Sequence, residues 1–443
     1  MHLYLHVPFC ARRCSYCDFS IAVRKRIPAR EYVDAIRREV AQHPTLSMVG
    51  DMTTGGSRGE HSTPIAASLS PSKGSREGNT APTSSSTPPI ADDTGHTLYL
   101  GGGTPSLLPV DSLAELLTSL LDVFPRRSSS TPSRDAFSQR LSRNASPATP
   151  LLDAFAVSDV VEVSLEVNPE DVTPSNAAVW RAAGVNRISL GAQSFDDRVL
   201  EWMHRLHTAD RTREAVRVLR DAGFDNISLD LIFALPEALQ RDWSRDLDQV
   251  IALEPEHLSL YGLTVEDRTP LARWVSRGAA VPPDDDRYAA EYLAAHDRLG
   301  AAGYAFYEVS NASRPGKHSR HNSAYWSGAS YVGLGPAAHS FDGRTRRWNI
   351  AAWEAYRTAI AAGKSSVESE EILTDEQRDI ERLYLGLRTS VGLPLTASSG
   401  DRWAAWVSAG WAETSGDRVH LRPQGWLLLD ALVRDLTGPA QVA

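Results

Sequence analysis

The sequence predicts an α/β fold, a partial (β/α)6 barrel with a smaller, mostly helical C-terminal domain. Three observations carry that expectation. Short apolar runs alternate with amphipathic segments over roughly the first 265 residues, Gly and Pro fall where those segments should stop and start, and beyond about residue 280 a different pattern takes over. The 443 residues, 42% of them hydrophobic, suffice for two or three domains with cores of their own.

In chain order, the strand candidates are 2–7, 97–100, 161–167, 187–190, 226–232 and 257–260. Between them the helical candidates are 29–42, 111–123, 173–183, 210–222 and 240–253. Thr173 is placed to cap the third of these helices, and Pro174 suits its first position, where the missing N–H has no intrahelical partner anyway. Gly184 and Gly223 stand where a helix ends on a left-handed residue. Successive strand-helix units imply a parallel sheet, closed or partly closed into a barrel, with its chemistry at the C-terminal strand ends. Beyond the barrel, a helix over 284–300 and a strand over 304–309 lead into 311–349, a loop-rich stretch with many polar and aromatic residues. From Glu370 onwards, helices flank a short strand pair around 411–422 with the turn signal Ser415-Gly416-Asp417. The expected organisation is a barrel core over 1–270, a connecting region over 271–369 and a winged-helix-like module over 370–443.

Two tracts stand apart. From 51 to 90, 25 of 40 residues are Gly, Ser, Thr or Pro, too few apolar side chains to offset the entropy of ordering. With a second Ser/Pro/Arg-rich tract they are expected to be disordered insertions, at about 45–95 and 126–150.

The 46 basic and 55 acidic residues leave a net charge of −9, which argues against a protein that tracks nucleic-acid phosphates. No run approaches the ~20 apolar residues of a spanning helix, and the N-terminus lacks a basic stretch followed by an apolar one. The expectation is a soluble cytoplasmic protein with neither a nucleic-acid partner nor a transmembrane segment. All three cysteines, Cys10, Cys14 and Cys17, lie within eight residues, a set that is odd and clustered and therefore no disulfide framework. Three thiolates at C-x3-C-x2-C spacing, on the loop after the first strand, can each bind one iron of a 4Fe-4S cluster and leave a fourth iron open to a small molecule. The alternative is a structural zinc site completed by His6 or Asp18.

With that triad, the runs His6-Val7-Pro8-Phe9-Cys10, Gly101-Gly102-Gly103-Thr104-Pro105-Ser106, Glu166-Val167-Asn168-Pro169, Gly191-Ala192-Gln193-Ser194-Phe195 and Asp230-Leu231-Ile232 resemble the radical SAM superfamily, within it the oxygen-independent coproporphyrinogen III oxidase-like group. The resemblance covers nearly the whole chain outside the two insertions. It implies a radical-SAM barrel holding a 4Fe-4S cluster on Cys10, Cys14 and Cys17, with S-adenosylmethionine on the open iron. The run Gly101 to Thr104 ends a strand, and its glycines leave backbone groups open to close approach by the methionine moiety, so Gly102, Gly103 and Thr104 are expected cofactor contacts. Glu166 and Asp230 fall on strands that a barrel buries, and there a carboxylate needs partners, which the cofactor would supply. By the same resemblance Tyr4, Tyr16, Gln193 and Arg205 are cofactor contacts. One departure is Ala234, which replaces the family's Gly in the Asp-Leu-Ile-Phe-x-Leu-Pro run.

Within the group, two features point away from the decarboxylase. Phe19 stands where that enzyme has a further cysteine, and the chain opens at its first strand without the enzyme's N-terminal extension. In favour of the haem-chaperone branch, His321-Asn322-Ser323-Ala324-Tyr325-Trp326 matches its H-N-x-x-Y-W motif. An imidazole can ligate iron while aromatic faces cover the macrocycle, so His321, Tyr325 and Trp326 are the expected haem contacts. A second resembling segment runs from Gly333 to Ser340 with Ala337 in place of the family's Gly, and it makes His339, like the nearby His318, an alternative ligand. The resemblance thus implies a chaperone that hands haem to an acceptor protein, with a respiratory acceptor in view. The competing expectations are a radical oxidative decarboxylase of coproporphyrinogen III and a zinc-stapled adaptor.

Overall fold

The structure, a computed structural model, describes residues 1–44, 46, 95–124, 160–395 and 400–438. The tracts 51–90 and 126–150, expected to be disordered, lie outside the described residues. Six strands follow the expected order: β1 (His2–Val7), β2 (His96–Gly102), β3 (Val160–Val167), β4 (Arg187–Gln193), β5 (Ile227–Phe233) and β6 (His257–Gly262). Each lies parallel to the next. The connections carry α1 (Ala29–Gln42), α2 (Val110–Leu121), α3 (Pro174–Ala182), α4 (Asp197–Trp202), α5 (Ala209–Asp221) and α6 (Trp243–Ala252). Thr173 caps α3 by accepting from the Asn176 N–H, and Gly184 and Gly223 have φ of +100° and +87°, as their sequence positions imply. The expected helix start at 240 is corrected: Gln240 has φ of +49°, which a right-handed helix excludes, and Asp242 caps α6 instead.

After α7 (Pro270–Ser276) and α8 (Asp285–Ala301) comes a second correction. The strand expected over 304–309 is present as β7 (Ala305–Glu308), but the loop-rich stretch 311–349 contains β8 (Asn311–Ser313), α9 (Arg320–Trp326), β9 (Tyr331–Leu334), β10 (His339–Phe341) and β11 (Thr345–Asn349), after which come α10 (Trp353–Ala361) and β12 (Val367–Ile372). Strands this short carry almost no period of their own and form because a sheet edge is there to pair with. The edge is β1, and β9 lies parallel to it with Tyr331 opposite His2 and Gly333 opposite Tyr4. One twelve-stranded sheet results, in the order β12-β11-β10-β9-β1-β2-β3-β4-β5-β6-β8-β7, open between β12 and β7 and hence a partial barrel.

The expected division at 369/370 falls inside β12, so the terminal unit begins at α11 (Asp375–Arg388). It continues through β13 (Leu393–Pro394), α12 (Gly400–Ser408), β14 (Ala412–Ser415), β15 (Arg418–Leu421), α13 (Pro423–Trp426) and α14 (Leu429–Thr437). Its sheet has three strands, β13-β15-β14, rather than the expected pair.

What positions the site is the difference between the two faces of the parallel strands. One face is apolar and fully covered: Leu3, Leu5, Leu98, Leu100, Leu165, Leu190, Leu229 and Leu258 belong to the main core with α1, α2 and α3. Each contributes about 2 kcal/mol by leaving water. The other face, in register from β1 to β6, carries His2, Tyr4 and His6, then Thr97 and Tyr99, Glu162, Ser164 and Glu166, Arg187 and Ser189, Ser228 and Asp230, and His257, Ser259 and Tyr261. A barrel of this size with an apolar inner face packs solid, whereas this one is lined with groups that need polar partners.

Candidate functional site

The cysteine loop leaves the end of β1. Phe9–Cys10 pairs with Ala22–Val23, and the Ala22 N–H donates to the Pro8 carbonyl (2.6 Å), which closes the loop at its base. At its tip Ser15 N–H donates to the Met203 carbonyl (3.1 Å) and the Leu271 N–H to the Ser15 carbonyl (2.8 Å), so α4 and α7 hold it from outside. Cys10 is buried, while Cys14 and Cys17 are half-buried, and all three are free thiols. Thr104 donates to Cys10 Sγ (3.4 Å) and Arg205 Nη1 to Cys14 Sγ (3.6 Å). Burial, followed by repulsion from the other two thiols, pushes Cys17 up to about 11. Thiolates gathered this closely repel one another, and the iron of a cluster would supply the positive charge that offsets the repulsion.

Among the described residues no group of three His, Cys, Asp or Glu side chains is placed to hold a single metal ion. A cubane spreads its thiolates over different irons and does not require them to converge on one point. The zinc alternative through His6 is corrected: His6 Nδ1 is bonded to the Tyr4 hydroxyl (3.1 Å) and Nε2 to the Ser20 carbonyl (3.1 Å). The donor set fits a cluster and its cofactor on two further counts. Arg205 donates through Nη2 to Asn168 Oδ1 (2.6 Å) and the Gly191 carbonyl (3.1 Å), yet its buried Nε has no partner. Ser164 Oγ, on the polar face, is likewise buried and unpartnered.

The carboxylates of that face correct a second expectation, since the protein itself already bonds them. Glu166 accepts from the Tyr99 hydroxyl (2.9 Å) and the Gly102 N–H (3.0 Å), and Asp230 from Ser189 Oγ (3.0 and 3.1 Å). Burial still pushes Glu166 up to about 7, with Asp230 adding to the rise, and Asp230 up to about 6 against the pull of Ser259 and Ser189. Both carboxyls favour a cation nearby. Tyr4 stacks on Tyr99 at 6.1 Å, and Tyr16 packs beside Met203 and Val199 within range of Cys14 and Arg205.

Local backbone explains the glycines. Gly102 has φ of +110°, and a Cβ there would stand 2.5 Å from the His6 ring; at Gly103 one would stand 2.7 Å from the Phe9 carbonyl. Gln193 ends β4 with φ of +67°, a conformation that a non-glycine residue adopts only when its surroundings impose it. The structure therefore brings Tyr4, Gly102, Gly103, Thr104, Glu166, Gln193 and Asp230 onto the polar face or the C-terminal strand ends, with Tyr16 and Arg205 at the cysteine loop. The sequence reading missed Tyr99, Ser164, Ser189, Asn168 and Tyr261. Tyr261 is 46% exposed although it stands within electrostatic range of Asp230 and Glu166, as a side chain lining a hollow does.

The H-N-x-x-Y-W segment sits at the opposite, N-terminal end of the strands. Ser319 caps α9, and the N–H groups of Arg320 and His321 both donate to the Glu162 carboxylate (2.9 Å each). His321 is 1% exposed, with Nδ1 bonded to Thr97 Oγ1 (2.8 Å), Nε2 to the Tyr325 hydroxyl (2.8 Å), and its ring stacked on Tyr99 at 5.1 Å. Burial, then repulsion from His2, lowers it to about 3 and keeps it neutral. Tyr325 meets Tyr331 edge-on at 4.6 Å, while Trp326 lies under the Arg388 guanidinium (4.2 Å) with its buried indole N–H unpartnered. The two alternative histidines are exposed: His318 lies flat on Tyr307 (4.4 Å) and His339 on Trp348 (6.0 Å).

By sequence, residues 90–250 match the Radical SAM superfamily. The chain is 35% identical over 439 residues to the haem chaperone HemW of Mycobacterium tuberculosis, covering 98% of this chain and 94% of that protein. It is 28% identical to HemW of Bacillus subtilis (88% and 84% covered) and 30% identical to that of Escherichia coli (76% and 69% covered). Among solved structures, coproporphyrinogen III oxidase (HemN) of Escherichia coli, described as a radical SAM enzyme, superposes with a TM-score of 0.67 at 18% identity, over 98% of this chain and 89% of that one. At that identity the likeness concerns the fold.

Proposed function

This chain belongs to the HemW family of haem chaperones in the radical SAM superfamily, and from that premise we propose that it binds haem and passes it to an acceptor protein. The observation that carries the reading is similarity to HemW along nearly the whole chain, joined to a cysteine loop that ends in an exposed Phe19 instead of a fourth cysteine. Superfamily membership implies S-adenosylmethionine and a 4Fe-4S cluster. In this reading Cys10, Cys14 and Cys17 hold the cluster, and its open iron supplies a site for the amino acid end of S-adenosylmethionine.

Glu166 and Asp230 face the cationic and hydroxyl groups of that cofactor, Gly102, Gly103 and Thr104 admit its methionine moiety, and Tyr4, Tyr16, Gln193 and Arg205 complete the surround. The segment His321, Tyr325 and Trp326 serves the haem. The place of action is the cytoplasm and the acceptor a haem protein of the respiratory chain. No helix among the described residues is long and apolar enough to cross a membrane.

The test uses anaerobically reconstituted protein. Haem is titrated by absorbance, and the same preparation is then incubated with coproporphyrinogen III, S-adenosylmethionine and reductant. One haem per chain and no protoporphyrinogen IX is the expected result. Steady formation of protoporphyrinogen IX without stable haem binding would make the protein a decarboxylase despite its three-cysteine loop.

A further inference from the structure

We infer that the haem iron is ligated by His339, on the exposed flank of the sheet, and that His321 is a positioning residue inside it. The inference rests on the haem-chaperone reading and adds to it the site and the ligand. An axial imidazole needs a free ring nitrogen and an open face for a flat macrocycle. His321 offers neither: both nitrogens are bonded, Tyr99 covers its ring, and release would leave the Tyr325 hydroxyl without its partner and Thr97 with His2 alone.

His339 meets both needs. It is exposed, and among the described residues no hydrogen bond engages its ring, so a ring nitrogen is free for iron. Its surroundings suit a porphyrin. On the same face, in register, stand Trp348 opposite His339, Tyr331 opposite Phe341, and Phe341 opposite Arg346. The aromatic groups form a strip, and Arg346, 39% exposed and paired with Glu381 (2.6 Å), is a cation at its edge for a propionate. Among the described residues, the ring contact of His318 is with Tyr307, and no such strip adjoins it.

The flank is fixed from beneath. Buried Glu39 accepts from the Gly335 N–H (2.7 Å), Asn349 Nδ2 (2.7 Å) and the Tyr356 hydroxyl (2.6 Å), which pins the chain on both sides of His339. His321 reaches the strip by contact: it bonds Tyr325, and Tyr325 packs edge-on against Tyr331. The H-N-x-x-Y-W segment thereby sets the position of the strip without touching iron.

The test compares full-length wild type, H339G, H318A, H321A and H321Q loaded with haem, read by absorbance, electron paramagnetic resonance and magnetic circular dichroism. In H339G the histidine-ligated signature should disappear, affinity should fall at least tenfold, and free imidazole should restore the signature. H318A should match wild type. H321A and H321Q should keep the wild-type signature with weaker binding, H321Q the less affected because an amide retains one of the two hydrogen bonds. An H339G protein with wild-type spectrum and affinity overturns the inference, as does loss of the signature in H321Q with an unchanged circular dichroism fold spectrum. Failure of the wild type to bind haem overturns the chaperone reading, and this inference falls with it; the variants separate the two cases.

Discussion

Gly102 shows how much one position decides. It sits at the end of β2 with φ of +110°, donates its N–H to Glu166, and leaves its α-carbon against the His6 ring. His6 cannot step aside, because Tyr4 and Ser20 hold both of its nitrogens. Gly102→Ala should therefore cost about 2 kcal/mol or more in stability, from the left-handed backbone and the displaced ring together. It should also abolish the binding of S-adenosylmethionine at this strand end. Urea unfolding and calorimetric titration of the reconstituted protein check the two effects separately, and a variant with wild-type stability would mean that His6 moves freely.

Turns and clamps show the same logic in the elements. Ala234 and Ala337, both in place of the family's Gly, have φ of +57° and +60°. A Cβ in that region costs about 1–2 kcal/mol, against which glycine forfeits roughly 0.5–1 kcal/mol of chain entropy. Ala234→Gly and Ala337→Gly should each stabilise the fold by about 0.5 kcal/mol, read as a rise in the denaturation midpoint. Glu39 gives the opposite case. Glu39→Ala would strand two buried donors, the Gly335 N–H and the Tyr356 hydroxyl, and leave Asn349 Nδ2 with the Gly335 carbonyl alone, and should destabilise by roughly 3 kcal/mol, while Glu39→Gln should recover part of that loss. The contrast marks what the sequence could convey. Parallel strands and helix caps such as Thr173 were legible because period and capping are local. The strands β9 to β11 were not, since each has three to five residues and gains its place from pairing that starts at β1. The burial of His321 was equally hidden, its partners Thr97 and Glu162 lying 224 and 159 residues away. The polar hollow, however, was written in the letters: His2, Tyr4 and His6 alternate with Leu3, Leu5 and Val7, and Ser228 and Asp230 with Leu229 and Leu231. Apolar content alone identifies such strands, and only the other half of the alternation reveals their lining.

For the whole molecule, that lining makes stability depend on pH through two sets of buried groups that pull in opposite directions. His2 and His321 are lowered to about 4 and about 3, chiefly by burial, and His257 also lies well below its ordinary value. A histidine whose folded value lies below its unfolded one gives up stability as pH falls below about 6.5, on the order of 2 kcal/mol each by pH 5. Glu166 and Asp230 are raised, to about 7 and about 6, so their contribution is complete below an unfolded value near 4 and is lost as pH rises through 6 to 7. The histidines outnumber them, and the ligand-free protein should lose stability between pH 7 and pH 5. Glu166→Gln with Asp230→Asn isolates the other set. Without the cost of ionising two buried carboxyls, the double variant should be more stable than wild type at pH 8, by about 1.4 kcal/mol for every tenfold by which burial had weakened their ionisation, and the gap should narrow towards pH 5 and close near pH 4. S-adenosylmethionine, whose sulfonium and ammonium match those carboxylates, should raise the melting temperature of the wild type more at pH 8 than at pH 6 and leave the double variant nearly unmoved. Thermal melts at pH 5, 6, 7 and 8, with and without the cofactor, decide the matter: parallel curves for wild type and variant would show that the two carboxyls titrate as they do in water, and that the polar face does not bury their charge.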